Sequence, residues 1–126
     1  MFEVNTIVPD LVAKHFFPKL NRVKQSVFAA ISAPVGSISD NKLGGWYAYR
    51  AYKVALNTVI KNAAIDISRC NKEAIIVGQH SGTVDSNLSK PFQGNVPDGK
   101  LFTPKYSVQK LLEVLTFLTL IINGLG

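Results

Sequence analysis

The segment Tyr49-Arg-Ala-Tyr-Lys53 places a phenol and an ammonium four residues apart. On a helix, residues i and i+4 lie on one face. A tyrosine titrates near ~10, and a neighbouring ammonium favours its phenolate and lowers that value. A tyrosine so perturbed can exchange a proton with a bound oxygen near neutral pH. The spacing recurs on many helix surfaces, so its weight depends on its surroundings. Other reactive side chains lack partners in the sequence. Cys70 has no companion histidine that would make it a nucleophile. His15 and His80 have no neighbours at metal-ligand spacing and read as structural, so no metal site is expected. Trp46 and Tyr47 open the segment and either border a substrate pocket or pack on the preceding loop.

The elements that must position these groups follow from hydrophobic periodicity. Ile7, Val8, Leu11, Val12, Phe16, Phe17 and Leu20 recur at helical spacing, with Pro9 near the start and Pro18 near the end. Residues 26–31 (Ser-Val-Phe-Ala-Ala-Ile) suit a short buried parallel strand. Residues 32–45 hold glycines, a proline and serines and read as a loop. A second helix is expected from about Trp46 to Ser68, with Tyr49, Lys53, Leu56, Ile60 and Ala63 on one side. Residues 74–77 predict a second strand, and residues 80–103 a long polar loop. A last helix after Pro104 carries Val108, Leu111, Leu112, Leu115 and Leu118. Residues 121–126 read as the start of a further strand or as a degenerate ending. The alternation of helix and strand predicts an α/β fold with a parallel sheet. Two strands make a poor sheet alone, because its edges stay open.

Composition narrows the function classes. The chain has 126 residues, 47% of them hydrophobic and 17% charged, which suits one packed domain over residues 1–126. The net charge of +6 raises nucleic-acid binding as a possibility. The basic residues are scattered, however, and their densest cluster, Lys19, Arg22 and Lys24, reads as a solvated loop. No nucleic-acid partner is expected. One cysteine cannot form an internal disulfide. The N-terminus lacks the pattern of a signal peptide, and the apolar run 114–122 is shorter than the ~20 residues a spanning helix needs. A cytoplasmic protein without a membrane partner is expected.

The order and spacing of five segments resemble the short-chain dehydrogenase/reductase family, and within it the C-factor and sniffer-like carbonyl reductases. Residues 2–6 (Phe-Glu-Val-Asn-Thr) resemble the family's asparagine-bearing helix start. Residues 30–41 resemble its serine loop, and residues 44–57 its Tyr-Lys helix. Residues 80–92 resemble the segment after the sixth strand, and residues 100–104 the lead into the next helix. The resemblance implies the C-terminal part of a Rossmann-like, doubly wound parallel sheet. It implies that Tyr49 exchanges a proton with a substrate oxygen. Lys53 would hold the nicotinamide ribose and depress the phenol's pKa, and Asn5 would hold a relay water. A serine should polarise the substrate oxygen. The family position three residues before the loop glycine is Ala33, so Ser37 is the first candidate and Ser32 the second. Gly82, Val84 and Ser86 would touch the cofactor, NAD or NADP, together with Tyr49 and Lys53. Departures include Ser81-Gly82 for Pro-Gly, Tyr52 for a small residue and Pro34 for a basic one.

The glycine-rich turn that seats a dinucleotide's pyrophosphate has no counterpart in the sequence. The N-terminal nucleotide-binding half is therefore expected to be absent, and two readings follow. In the first, the chain is the catalytic C-terminal portion of an NAD(P)-dependent carbonyl reductase that acts on a small carbonyl or alcohol. In the second, it is a non-catalytic fragment or remnant that acts through oligomerisation or interaction. In this family the helices bearing Asn5 and Tyr49 commonly pair between subunits, so a homo-oligomer is expected.

Overall fold

A computed structural model describes the backbone of residues 1–124 and the side chains of residues 1–120. The chain forms two compact units, Met1–Gln79 and His80–Gly126.

The first unit is a strand–helix–strand arrangement with a helical segment before it. A π-helical turn, Glu3–Ile7, runs into helix α1, Val8–Phe16. Pro9 sits where the π-helical turn passes into α1, so the helix gives up one backbone N–H bond there. A 3-10 turn at Phe17–Lys19 ends the helix at Pro18. Strand β1 is Ser26–Ser32, helix α2 is Tyr47–Cys70 and strand β2 is Ala74–His80. β1 and β2 are neighbours in a two-stranded parallel sheet, the arrangement that a helical crossover requires. Both strands extend the expected runs by one or more residues, and α2 ends at Cys70, where Asn71 turns to extended backbone.

The buried side chains of this unit gather where helices meet the sheet. Leu56 of α2 is 1% exposed, and Ala13, Tyr52 and Ile76 are also buried. Burying a leucine contributes about 2–3 kcal/mol. Lys53 and Leu56 face inward while Ala51 and Arg69 face solvent, so one side of α2 lies on the sheet as its periodicity predicts. The 3-10 turn Pro34–Gly36 lies directly on α2. A Cβ at Gly36 would come 2.8 Å from the Lys53 carbonyl oxygen and 2.5 Å from Asn57 Nδ2. Only glycine allows that approach.

The second unit carries what the sequence suggested was an unstructured connection. Strands β3, Thr83–Val84, and β4, Leu101–Phe102, pair in parallel, Thr83 with Leu101 and Val84 with Phe102. The intervening chain forms a 3-10 helix, Lys90–Asn95, held by a Gln93 Nε2 bond to Asp85 Oδ1 at 3.0 Å. Helix α3, Pro104–Gly124, starts with proline at its first position. The Thr103 hydroxyl accepts the Tyr106 N–H at 3.2 Å, the bond of an N-cap. The Ser107 hydroxyl donates to the Ser81 carbonyl at 2.7 Å, and Phe102 stacks on Tyr106 at 5.3 Å. α3 continues to Gly124, so residues 121–124 are helix where the sequence left a strand start or a degenerate ending open; residues 125–126 lie outside the described residues. Among the described residues no helix is long and apolar enough to cross a membrane.

Candidate functional site

Helix α2 places Tyr49 and Lys53 one turn apart near its N-terminal end. The turn before it is tight. Gly44, Gly45 and Trp46 are all left-handed, at φ 66°, 67° and 53°. Arg50 reaches back to bond the Gly45 carbonyl at 3.0 Å and the Gly44 carbonyl at 3.2 Å. The start of α2 is thus held by its own fourth residue.

Lys53 is 7% exposed, and its ammonium donates to the Ile31 carbonyl of β1 at 3.1 Å. No carboxylate pairs with it among the described residues. Burial therefore lowers its pKa, because the charged form is the one desolvated. Tyr49 lies half-buried among rings. Its ring is 5.4 Å from Tyr52 and 6.1 Å from Trp46, and Tyr52 in turn meets Phe2 edge-on at 5.8 Å. The phenol is pushed above its ordinary value, first by burial and then by repulsion from Tyr52. This corrects the expectation that Lys53 lowers it: the ammonium is turned to Ile31, and the rings dominate.

The two candidate serines separate. Ser32, at the end of β1, is buried and donates a short hydrogen bond to Asn57 Oδ1 of α2. Ser37 lies past the 3-10 turn, where its hydroxyl bonds Ser39 Oγ at 3.3 Å and accepts the Asp40 N–H at 3.3 Å. Among the described residues neither hydroxyl bonds Tyr49. Asn5 belongs to the π-helical turn, and its side chain donates to the Met1 carbonyl at 3.0 Å. The neighbouring Thr6 makes the link to α2, its hydroxyl donating to the Tyr52 carbonyl at 2.9 Å. Gly82, Val84 and Ser86 belong to the second unit. There the Val84 carbonyl accepts the Ser89 hydroxyl and Ser86 is exposed.

Asn57 and Thr6 escaped the sequence reading. Asn57 stands four residues after Lys53, so helical spacing alone could have placed it on the same face. Nothing in the sequence marks Thr6.

A surface groove of about 480 Å³ is lined by Gly36, Ile38, Val54, Asn57, Thr58 and Lys61, and another of about 840 Å³ runs along α3 past Val108, Leu112 and Phe117. Neither is lined by Tyr49 or Lys53. Among the described residues no three His, Cys, Asp or Glu side chains gather as metal ligands.

Fold and relatives together define the class: the chain has a short-chain-dehydrogenase-like fold and is similar to carbonyl-reductase and C-signal-type proteins. It is 31% identical over 117 residues to 1-hydroxy-2-glutathionyl-2-methyl-3-butene dehydrogenase of Rhodococcus sp. (strain AD45), covering 93% of this chain and 49% of that protein. It is 28% identical over 114 residues to C-signal of Myxococcus xanthus, covering 90% of this chain and 63% of that one. Among solved structures it is similar to the carbonyl reductase Sniffer of D. melanogaster, with TM-score 0.62 and 31% identity over 69% of this chain and 39% of that one. No protein-family model matches the sequence. The chain spans about half the length of the curated relatives it matches.

These relatives imply a nicotinamide nucleotide. The ammonium expected to hold its ribose hydroxyls is 7% exposed and gives one of its three N–H donors to the Ile31 carbonyl, which leaves two for a ribose. No glycine-rich turn offers backbone N–H groups to a pyrophosphate.

Proposed function

We propose that this chain is a short-chain-dehydrogenase-like protein that does not catalyse carbonyl reduction by itself and acts through association, first with a second copy of itself. The observation that carries this reading is the buried Lys53 ammonium bound to Ile31, beside a phenol that is raised and not lowered. Ala33 at the family's serine position supports it, because alanine cannot polarise a carbonyl oxygen.

The association surface is the outer face of the N-terminal helical segment. Val4, Ile7, Val8 and Leu11 follow helical spacing and are all exposed. The segment is fastened to α2 from its other side by Thr6 and Phe2. A contiguous apolar stripe on a fastened helix is the kind of surface that a partner covers. It includes the Asn5 segment and adjoins the Tyr49 helix, the two expected to pair between subunits.

Light scattering after size exclusion tests the association. The expected result is a dimer that becomes a monomer in Val8→Glu/Leu11→Lys, with unchanged circular dichroism. A monomeric wild-type chain overturns this part. Titration with NADH and NADPH, read by fluorescence, tests the other part. No saturation up to millimolar concentration is expected, and saturable binding below a millimolar overturns it.

The Tyr49–Lys53 spacing, together with the oxidoreductase names of the relatives, favours a second reading, in which the chain is the proton-transfer portion of a carbonyl reductase. Tyr49→Phe would then abolish any reductase activity found while the fold persists. Turnover retained in that variant sinks the assignment.

A further inference from the structure

The end of the first unit opposite the start of α2 gathers cations that lie apart in the sequence. From residue 11 to residue 39 the chain holds no acidic side chain, while Lys14, Lys19, Arg22 and Lys24 fall within it. The fold adds to them. Asn71, which ends α2, is buried and donates from Nδ2 to the Asn21 carbonyl at 3.1 Å. The Ser26 N–H donates to the Glu73 carbonyl at 3.0 Å. These bonds bring Lys72 and the end of α2 against the loop that carries Arg22 and Lys24.

The loop is built, not loose. Asn21 Oδ1 accepts the N–H groups of Val23 and Lys24, both at 2.8 Å. The Ser26 hydroxyl donates to the Asn21 carbonyl at 3.2 Å. The loop so fixed presents Val23 at its tip, 88% exposed, between two exposed cations. Arg69 pairs with Asp66 at 3.4 Å. Among the described residues Lys19, Arg22, Lys24 and Lys72 form no ion pair, and Glu73 is the acid among them.

We propose that this end of the first unit docks on an anionic lipid surface, with Lys19, Arg22, Lys24 and Lys72 against the headgroups and Val23 dipping between them. Charge complementarity names an anionic partner. The apolar tip favours a bilayer over a nucleic acid. Of the side-chain amides that could read bases, Asn21 has its oxygen taken by two loop N–H groups, and Asn71 uses both ends, on the Asn21 carbonyl and on the Glu73 N–H at 3.1 Å. The contact is peripheral, without a spanning helix, and is independent of the association proposed above.

The test is co-sedimentation of the full chain with phosphatidylcholine vesicles, with and without phosphatidylserine. Each cation near such a surface strengthens partitioning about fivefold. Binding is expected only with phosphatidylserine, and weakens as salt shortens the Debye length. Arg22→Glu/Lys24→Glu should lower the partition coefficient by at least about 25-fold on that scale. Lys42→Glu/Lys61→Glu changes the net charge equally but lies elsewhere in the unit, and should leave most of the binding. Val23→Ser should weaken binding without changing its salt dependence. Equal binding to pure phosphatidylcholine, an equal loss in the control pair, or displacement from vesicles by duplex DNA of matched charge overturns the proposal.

Discussion

Replacing Tyr52 separates the two causes that hold the Tyr49 phenol protonated. Tyr52 is 7% exposed and touches rings on both sides, Tyr49 at 5.4 Å and Phe2 at 5.8 Å. Truncating a buried aromatic to alanine costs about 3–5 kcal/mol. Phe2 sits at the chain end, where its contact is easily frayed, so Tyr52→Ala should fall near the lower value, about 3 kcal/mol. At about 4 °C per kcal/mol for a chain of this size, the melting temperature drops by roughly 12 °C. Tyr52→Phe keeps the ring and should cost less than about 1 kcal/mol. Both variants shift the phenol. Tyr52→Phe removes only the repulsion, and Tyr52→Ala also admits water, so the Tyr49 midpoint should fall from wild type to Tyr52→Phe to Tyr52→Ala, towards the ordinary value of 10.0. Carbon-13 NMR of ring-labelled tyrosine, with Tyr49 assigned by Tyr49→Phe, reads the order. The sign extends to stability. The unfolded phenol ionises first, so the Tyr49 contribution to stability is level below about 10 and falls as the pH rises from there through the folded midpoint. A Tyr49 midpoint that stays put or rises in folded Tyr52→Ala would refute the account of why this phenol is a poor base.

Lys53 acts with the opposite sign. Its folded pKa lies below 10.5, so stability should rise with pH between the two values, and Lys53→Met should flatten that rise in urea midpoints measured from neutral pH upward. Ser32→Ala removes the donor to the part-buried Asn57 Oδ1 and should cost about 1 kcal/mol. In a double-mutant cycle with Asn57→Ala, a coupling of at least ~0.5 kcal/mol is expected, and additivity would show that the bond does not form in solution. Gly82→Ala meets two obstacles, a φ of 71° and a Cβ 2.6 Å from the Phe102 ring, which Tyr106 stacks in place. A loss of about 2–4 kcal/mol follows, and a melt unchanged by this substitution would contradict the placement of β4.

Local pattern determined much of this protein. Helical spacing marked α1, α2 and α3, short apolar runs marked β1 and β2, and their alternation marked a parallel sheet. Those signals are one-dimensional: a helix that covers a sheet repeats its apolar residues every three to four positions wherever its partner lies. The spacing of Tyr49 and Lys53 was legible for the same reason, since four residues make one turn. Tertiary structure decided where their polar ends go. Lys53 turned to Ile31, 22 positions earlier, because β1 lies beneath α2 and a backbone carbonyl is the acceptor it offers. The phenol rose because Tyr52 and Trp46 crowd it, and a residue list gives no distances between rings. Ser32 looked like a donor to substrate until Asn57, 25 residues on, took its hydrogen bond. The cluster Lys19, Arg22 and Lys24 was legible as a solvated loop, but Lys72 joins it only through the Asn71–Asn21 bond, 50 residues apart in the chain. Periodicity reports which face of an element is buried, whereas the chemistry of a site depends on which atoms from distant elements meet, and only packing settles that.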